Sequence, residues 1–397
     1  MNFEFWWLLA LPIFFGLGWL AARIDIRHLL SESRTLPASY FKGLNFLLNE
    51  QPDKAIEAFI EVARAEQQTI ELHFALGALF RRRGEVERAT RMHQTLMERT
   101  DLSGDERVTA MHELALDYQK AGLLDRAERI FSDLRNTVHA RSALKSLLGI
   151  YVVEKEWFKA IEVARQLEHE FNDVFDKEIA NYYCELALIE AAHSRNEAAV
   201  AFLDQALAAN RKCVRASVML GEWAARDGRY EAAIEHWQRI EAQSPAYLFL
   251  VGDGLLQRYR ALGRLREGVN LLAGYQQRYP ALDLLNAVVQ GTLELSGPDA
   301  AYEVVREELR RNPSLPGLDK LLEARQFVDL PAERRADLQL IKDLVHGYSA
   351  RLALFQCTTC GFKARQFHWH CPACGGWETY PPRRNTEIEL VSNAARG

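Results

Sequence analysis

Net charge is small in this chain: among 397 residues, 49 Lys and Arg face 54 Asp and Glu, a formal net charge of −5. So small an imbalance excludes a molecule held to nucleic acid or anionic lipid by its overall field, and leaves such binding to local patches. Cysteine is scarce too, six in all, which excludes the disulfide-dense scaffolds of small secreted domains. No nucleophile stands beside a plausible base, and no glycine-rich phosphate loop, HExxH pair or paired-carboxylate motif appears. No enzymatic reading therefore starts from a motif. General disorder is excluded because 48% hydrophobic against 26% charged residues supply ample material for a buried core.

What is present begins with an apolar run. Phe5 to Ala22 is eighteen residues without a charge, which as a helix spans about 27 Å, close to one hydrocarbon core. Glu4 precedes the run, and Arg23, Arg27 and His28 follow it. A cleaved signal peptide has the opposite arrangement, so residues 1–22 are expected to be a single-pass transmembrane anchor. Residues 23–35 are expected to form a juxtamembrane linker, and the basic flank is expected to leave the large C-terminal part in the cytoplasm.

The middle of the chain repeats itself. Gly43 and Ala55 align with Gly77 and Ala89 at an offset of 34, and the frame returns at Ala115 with Ala127, Leu148 with Ala160, Ala187 with Ala199, Gly221 with Ala233, and Leu256 with Gly268. Each pair sets a small residue, or in two copies a leucine, on a first helix and a small residue on a second helix twelve positions later. Turn signals at Gly84, Gly122, Gly228 and Gly263 lie between them. Small side chains at both points let two helices approach closely. The pattern resembles the tetratricopeptide repeat and predicts an all-α superhelical solenoid over residues 36–310, followed by terminal helices over 311–350. Such pairs stack because none buries its apolar face alone, and stacking leaves a concave groove suited to other chains. In the tetratricopeptide frame Glu71, Arg81, Arg82, His112, Gln119, Lys120, Glu222 and Arg226 fall on or near that groove and are the candidate partner-binding residues. Cys184 and Cys213 stand alone in helical patterns and are assigned to packing.

The remaining cysteines form a doubled pair. Cys357, Cys360, Cys371 and Cys374 read CxxC, ten residues, CxxC. Two such knuckles bring four sulfurs into a tetrahedron suited to one metal ion, zinc or iron, and ligand type does not separate the two. Gly361 and Gly375 follow the second cysteine of each knuckle, where a positive φ turns backbone N–H groups toward sulfur. A shell of four thiolates is complete without His368 or His370 and leaves no open position for substrate, so the site is structural or at most redox-active. The segment 351–382 is therefore expected to be a small rubredoxin-like or zinc-ribbon β-knuckle domain that folds on its metal. Phe362, Phe367, Trp369 and Trp377 exceed what so small a hairpin can bury, which predicts packing against the last helix, Arg334 to Leu354. Lys363, Arg365, Arg383 and Arg384 raise a nucleic-acid-binding zinc ribbon as an alternative, but in a membrane-tied, acidic body no nucleic acid partner is expected. The tail, 383–397, has no assigned role.

The order of anchor, repeats and clip, with the stretches "LNFLLNEQPDKAIEAF", "LGALFRRRGEVERATRMHQTLM", "YYCELAL" and "CGFKARQFHWHCPACGGW", resembles the lipopolysaccharide assembly protein B family of Gram-negative bacteria. That resemblance implies a single-pass inner-membrane adaptor without enzymatic activity. It further implies a regulator of lipopolysaccharide synthesis that promotes proteolysis of the lipid A deacetylase LpxC by the membrane protease FtsH, and that gathers other lipopolysaccharide synthesis proteins. The four cysteines carry over as its metal ligands. Electron transfer through a rubredoxin-like iron is the alternative from another class.

Overall fold

The computed structural model describes residues 42–43, 45–46, 49, 51–65, 70–324, 332–349 and 355–382. The anchor and linker expected over 1–35 and the tail from 383 lie outside them. Among the described residues no helix is long and apolar enough to cross a membrane. The chain divides into two compact units between Ile150 and Tyr151.

The first unit contains α1 (Pro52–Ala65), α2 (Ile70–Arg83), α3 (Val86–Glu98), α4 (Gly104–Lys120) and α5 (Leu124–Asp133), then a 3-10 turn and α6 (Ala140–Glu154), inside which the division falls. α4 opens on a capping box: the Glu106 N–H donates to Ser103 Oγ and the Ser103 N–H donates to the Glu106 carboxylate. Two of the orphan donors at the helix start are satisfied in this way.

The second unit continues with α7 (Trp157–Phe171), α8 (Asp176–Ala192), α9 (Asn196–Ala209), α10 (Val214–Arg226), α11 (Tyr230–Gln238) and the short α12 (Ile240–Gln243). A 3-10 segment over Pro245–Leu250 leads to α13 (Gly252–Ala261), α14 (Leu265–Arg278), α15 (Leu282–Ser296), α16 (Pro298–Arg311), α17 (Leu315–Ala324) and α18 (Ala332–Ser349). The metal clip follows with β1 (Phe355–Gln356) antiparallel to β2 (Lys363–Ala364), Phe355 opposite Ala364.

The helices are paired as the 34-residue frame predicts, in a tetratricopeptide-like array within each unit. Its small residues have a visible reason. A Cβ on Gly77 would lie 2.3 Å from His93 Nε2, and one on Gly221 would lie 2.2 Å from Trp237 Nε1, so each glycine is the notch that receives a ring from the second helix. On those second helices Ala89, Ala127, Ala160, Ala199 and Ala233 are all fully buried. Between the helices of each pair the chain turns through the left-handed region, at Gly84, Gly122, Gly228 and Gly263 as expected, and also at Lys155 and Ser194 where glycine is missing.

Candidate metal centre and its seat

The knuckles form as their spacing requires. Gly361 and Gly375 take φ of 76° and 70°, and their N–H groups donate back to the carbonyls of Cys357 and Cys371. The sulfurs of Cys357 and Cys374 lie 3.7 Å apart, and those of Cys360 and Cys371 3.8 Å. A tetrahedron with metal–sulfur bonds of about 2.3 Å has an edge of about 3.8 Å, so the four side chains fit one metal ion without rearrangement. All four ligand atoms lie within 4.8 Å of one another, and no disulfide competes for them. Cys357 and Cys371 are buried while Cys360 and Cys374 face outward.

The sulfurs are not tuned alike: the backbone N–H groups of Phe362 and Gly376 lower the Cys360 and Cys374 thiols, but burial and the neighbouring sulfurs outweigh them and raise both, Cys374 to about 12. Burial raises the Cys357 thiol, but the Thr379 hydroxyl at 3.3 Å and the backbone N–H groups of Cys360 and Thr359 outweigh it and bring the thiol down to about 5. Hydrogen bonds to the charged form are what keep a metal ligand deprotonated near neutrality. His368 and His370 stay outside the sulfur cluster: His368 meets the Tyr380 ring, and His370 packs on Trp377 at 4.4 Å between centroids.

The clip has no core of its own. Phe355, Cys357, Cys371 and Tyr380 belong to one buried cluster with Trp237, Tyr247, Leu255 and other repeat residues. The expectation that its aromatics lie on the helix from Arg334 is corrected here, because larger apolar partners are available on the repeats. Trp377 sits edge-on to Trp157 of α7 and Tyr182 of α8 at 6.4 and 6.1 Å, beneath the Arg215 guanidinium of α10. Trp369 stacks on Tyr247 at 5.9 Å, and Phe367 packs edge-on to Tyr247 and Phe249 of the 3-10 segment. Phe362 remains exposed. α18 packs on α17.

Between these aromatic contacts lies a polar pin. Glu378, with a left-handed φ of 51°, accepts hydrogen bonds from Asn181 Nδ2 at 3.2 Å and from the Cys213 thiol at 3.6 Å, while its carbonyl accepts one from Tyr247 Oη at 2.7 Å. Burial pushes the Glu378 carboxyl above its ordinary value, and the two side-chain donors offset part of the shift. Cys184 and Cys213, assigned separately to packing, are both fully buried and face each other at 3.9 Å between sulfurs. The seat residues Glu378, Asn181, Arg215 and Tyr247 were not identified from the sequence. The only signal for them was the surplus of aromatics in the clip.

The predicted groove residues fall into two groups. Glu71, Arg82, Lys120, Glu222 and Arg226 are exposed, as a binding surface needs. His112 differs from the expectation: it is buried, with Nε2 2.8 Å from Ser142 Oγ and its ring stacked on His139. Arg81 reaches the next pair instead of solvent, bonded to Glu113 at 2.6 Å and Asp117 at 2.7 Å, and Asp117 also takes buried His93 at 2.5 Å. Gln119 is half-buried, with its amide near Gly149. Arg81 and His112 join neighbouring helices, because a polar side chain taken out of water finds its partner on the adjacent helix.

A family profile described as rubredoxin metal binding domain matches residues 355–382. Lipopolysaccharide assembly protein B of Escherichia coli strain K12 is 34% identical over 381 residues, covering 96% of this chain and 98% of that protein. The protein of the same name from Haemophilus influenzae Rd is 30% identical over 390 residues, with the same coverage. A solved tetratricopeptide repeat protein from Parabacteroides merdae aligns with 72% of this chain and 99% of its own at 15% identity, with a TM-score of 0.27. So low a score bears no weight, and the repeat assignment rests on the helix pairs described above. Through its end-to-end likeness to two curated relatives, the chain belongs to the lipopolysaccharide assembly protein B family.

Proposed function

We propose that this chain is a non-catalytic adaptor of lipopolysaccharide assembly, tethered to the inner membrane by residues 1–22, with its repeats in the cytoplasm. In this reading it holds the deacetylase LpxC beside the protease FtsH and so restrains lipopolysaccharide synthesis, with other synthesis proteins gathered on the same scaffold. Confinement of two partners to one surface raises their effective concentration to roughly millimolar without any new catalytic group. The relatives' name supplies the pathway, and the seat of the clip supports the adaptor. Four cysteines complete a coordination shell with no position for substrate, and the clip's aromatic residues are spent on the repeats at Trp157, Tyr182, Tyr247 and Phe249. A bound metal ion supplies folding energy to the clip, and through it fixes one face of the second unit.

Replacing Cys371 and Cys374 with Ser is expected to remove the ion and lengthen the deacetylase half-life in cells several-fold. A normal half-life in that variant, at normal abundance, contradicts the reading. The outward-facing sulfurs of Cys360 and Cys374 favour one second reading, electron transfer through a rubredoxin-like iron. Iron in protein from its native host, with visible absorption and a reversible couple, would carry that reading, and zinc would remove it.

A further inference from the structure

Three successive repeats of the second unit end on the same kind of loop: Ser244-Pro245 after α12, Tyr279-Pro280 after α14 and Asn312-Pro313 after α16. These loops converge on one cavity of about 590 Å³, whose wall is completed by Phe249, Leu284 and Pro382 of the clip. That volume lies in the range of ligand-binding clefts. The lining is unusual in its polar content. Proline has no N–H to offer, and the charged groups that line the cavity are two guanidiniums, Arg278 and Arg311, with no carboxylate among them. Arg278 is shared with Glu241 and stacks on Tyr279; Arg311 is exposed.

We infer that this cavity is a binding site for an extended acidic peptide segment of a client protein, with a leucine-like side chain in the proline-lined hollow and carboxylates on the arginines. Charge complementarity argues for an anionic occupant, since guanidinium recognises carboxylate through paired N–H donors. The arginines close equivalent helices one repeat apart, which suits acceptors spread along an extended chain better than a single headgroup. Rigid proline and aromatic rings lose little freedom on contact, so the hollow is organised before the peptide arrives. Pro382 belongs to the clip, and Phe249 packs against Phe355 and Phe367 of the clip. The site is therefore whole only while the metal-loaded clip is seated. The inference rests on the adaptor reading in naming a client as occupant.

The test uses the full chain, metal-loaded and purified in detergent, with a fluorescein-labelled hexapeptide of alternating glutamate and leucine read by anisotropy. The expected result is saturable binding, at least tenfold weaker for the lysine–leucine counterpart, with Arg311→Glu costing about tenfold for the acidic peptide and improving the basic one. Ala281→Trp, which fills the cavity, is expected to abolish binding. Should that variant misfold, the exposed Arg311 substitution still decides. Equal binding of both peptides, indifference to Arg311→Glu, or full displacement by phosphatidylglycerol vesicles overturns the inference. Each of these outcomes leaves the adaptor reading standing, because its own test is the deacetylase half-life in cells.

Discussion

A carboxyl group that leaves water loses several kcal/mol of hydration unless donors replace it, and among the described residues Glu378 has Asn181 and a thiol in that role. Its raised carboxyl means that a neutral side chain of the same shape suits the seat nearly as well. Glu378→Gln is therefore expected to keep the clip docked with a change under about 1 kcal/mol. Glu378→Ala, which takes the clip's acceptor from Asn181 and Cys213 and leaves them only the Lys177 carbonyl and the Cys184 sulfur, is expected to cost about 2 kcal/mol. Urea titration followed by tryptophan fluorescence reads both, because Trp157, Trp369 and Trp377 report from the seat. Equal losses in the two variants would show that the contact is made by packing and not by the hydrogen bonds.

Within the first unit, Arg81 of α2 with Glu113 and Asp117 of α4 joins consecutive repeats. Burial raises the Glu113 carboxyl, but His112 and Arg81 overcome it and hold it at about 2. A carboxyl lowered on folding binds fewer protons folded than unfolded, so its contribution is complete above about pH 5 and is lost as pH falls toward 2. The urea midpoint of wild type is expected to fall across that window by the equivalent of about 2 kcal/mol more than that of Glu113→Gln. Parallel curves would rule out the pair as a source of acid sensitivity.

The same helices mark what was legible in the sequence. The 34-residue period and the CxxC pairs were readable because each is a local spacing, and local spacing dictates a helix pair or a knuckle directly. The two anchors of the seat were not, because Glu378 lies 197 residues from Asn181 and nothing near either residue announces the other. The contacts of Arg81 and His112 were hidden for a related reason. The frame says which side of a helix they occupy, but the neighbouring repeat decides whether that side is covered. Ser194 and Lys155 also hid two turns, since a left-handed residue without glycine gives no sequence signal.

The second unit, taken whole, rests on one physical dependence. The four cysteines are placed to hold one metal ion whose binding would fold a segment without a core, and that segment packs into the core of the repeats over Trp157 to Leu250. The proposed adaptor role and the proposed peptide site both require this face to be ordered. Hydrogen–deuterium exchange of the full chain, metal-loaded against chelator-stripped, measures the dependence directly. Faster exchange in α7, α8 and the 245–250 segment after stripping, with α2 to α4 unchanged, is the predicted result. Loss of protection confined to 355–382, with those repeat segments as protected as before, would contradict the account.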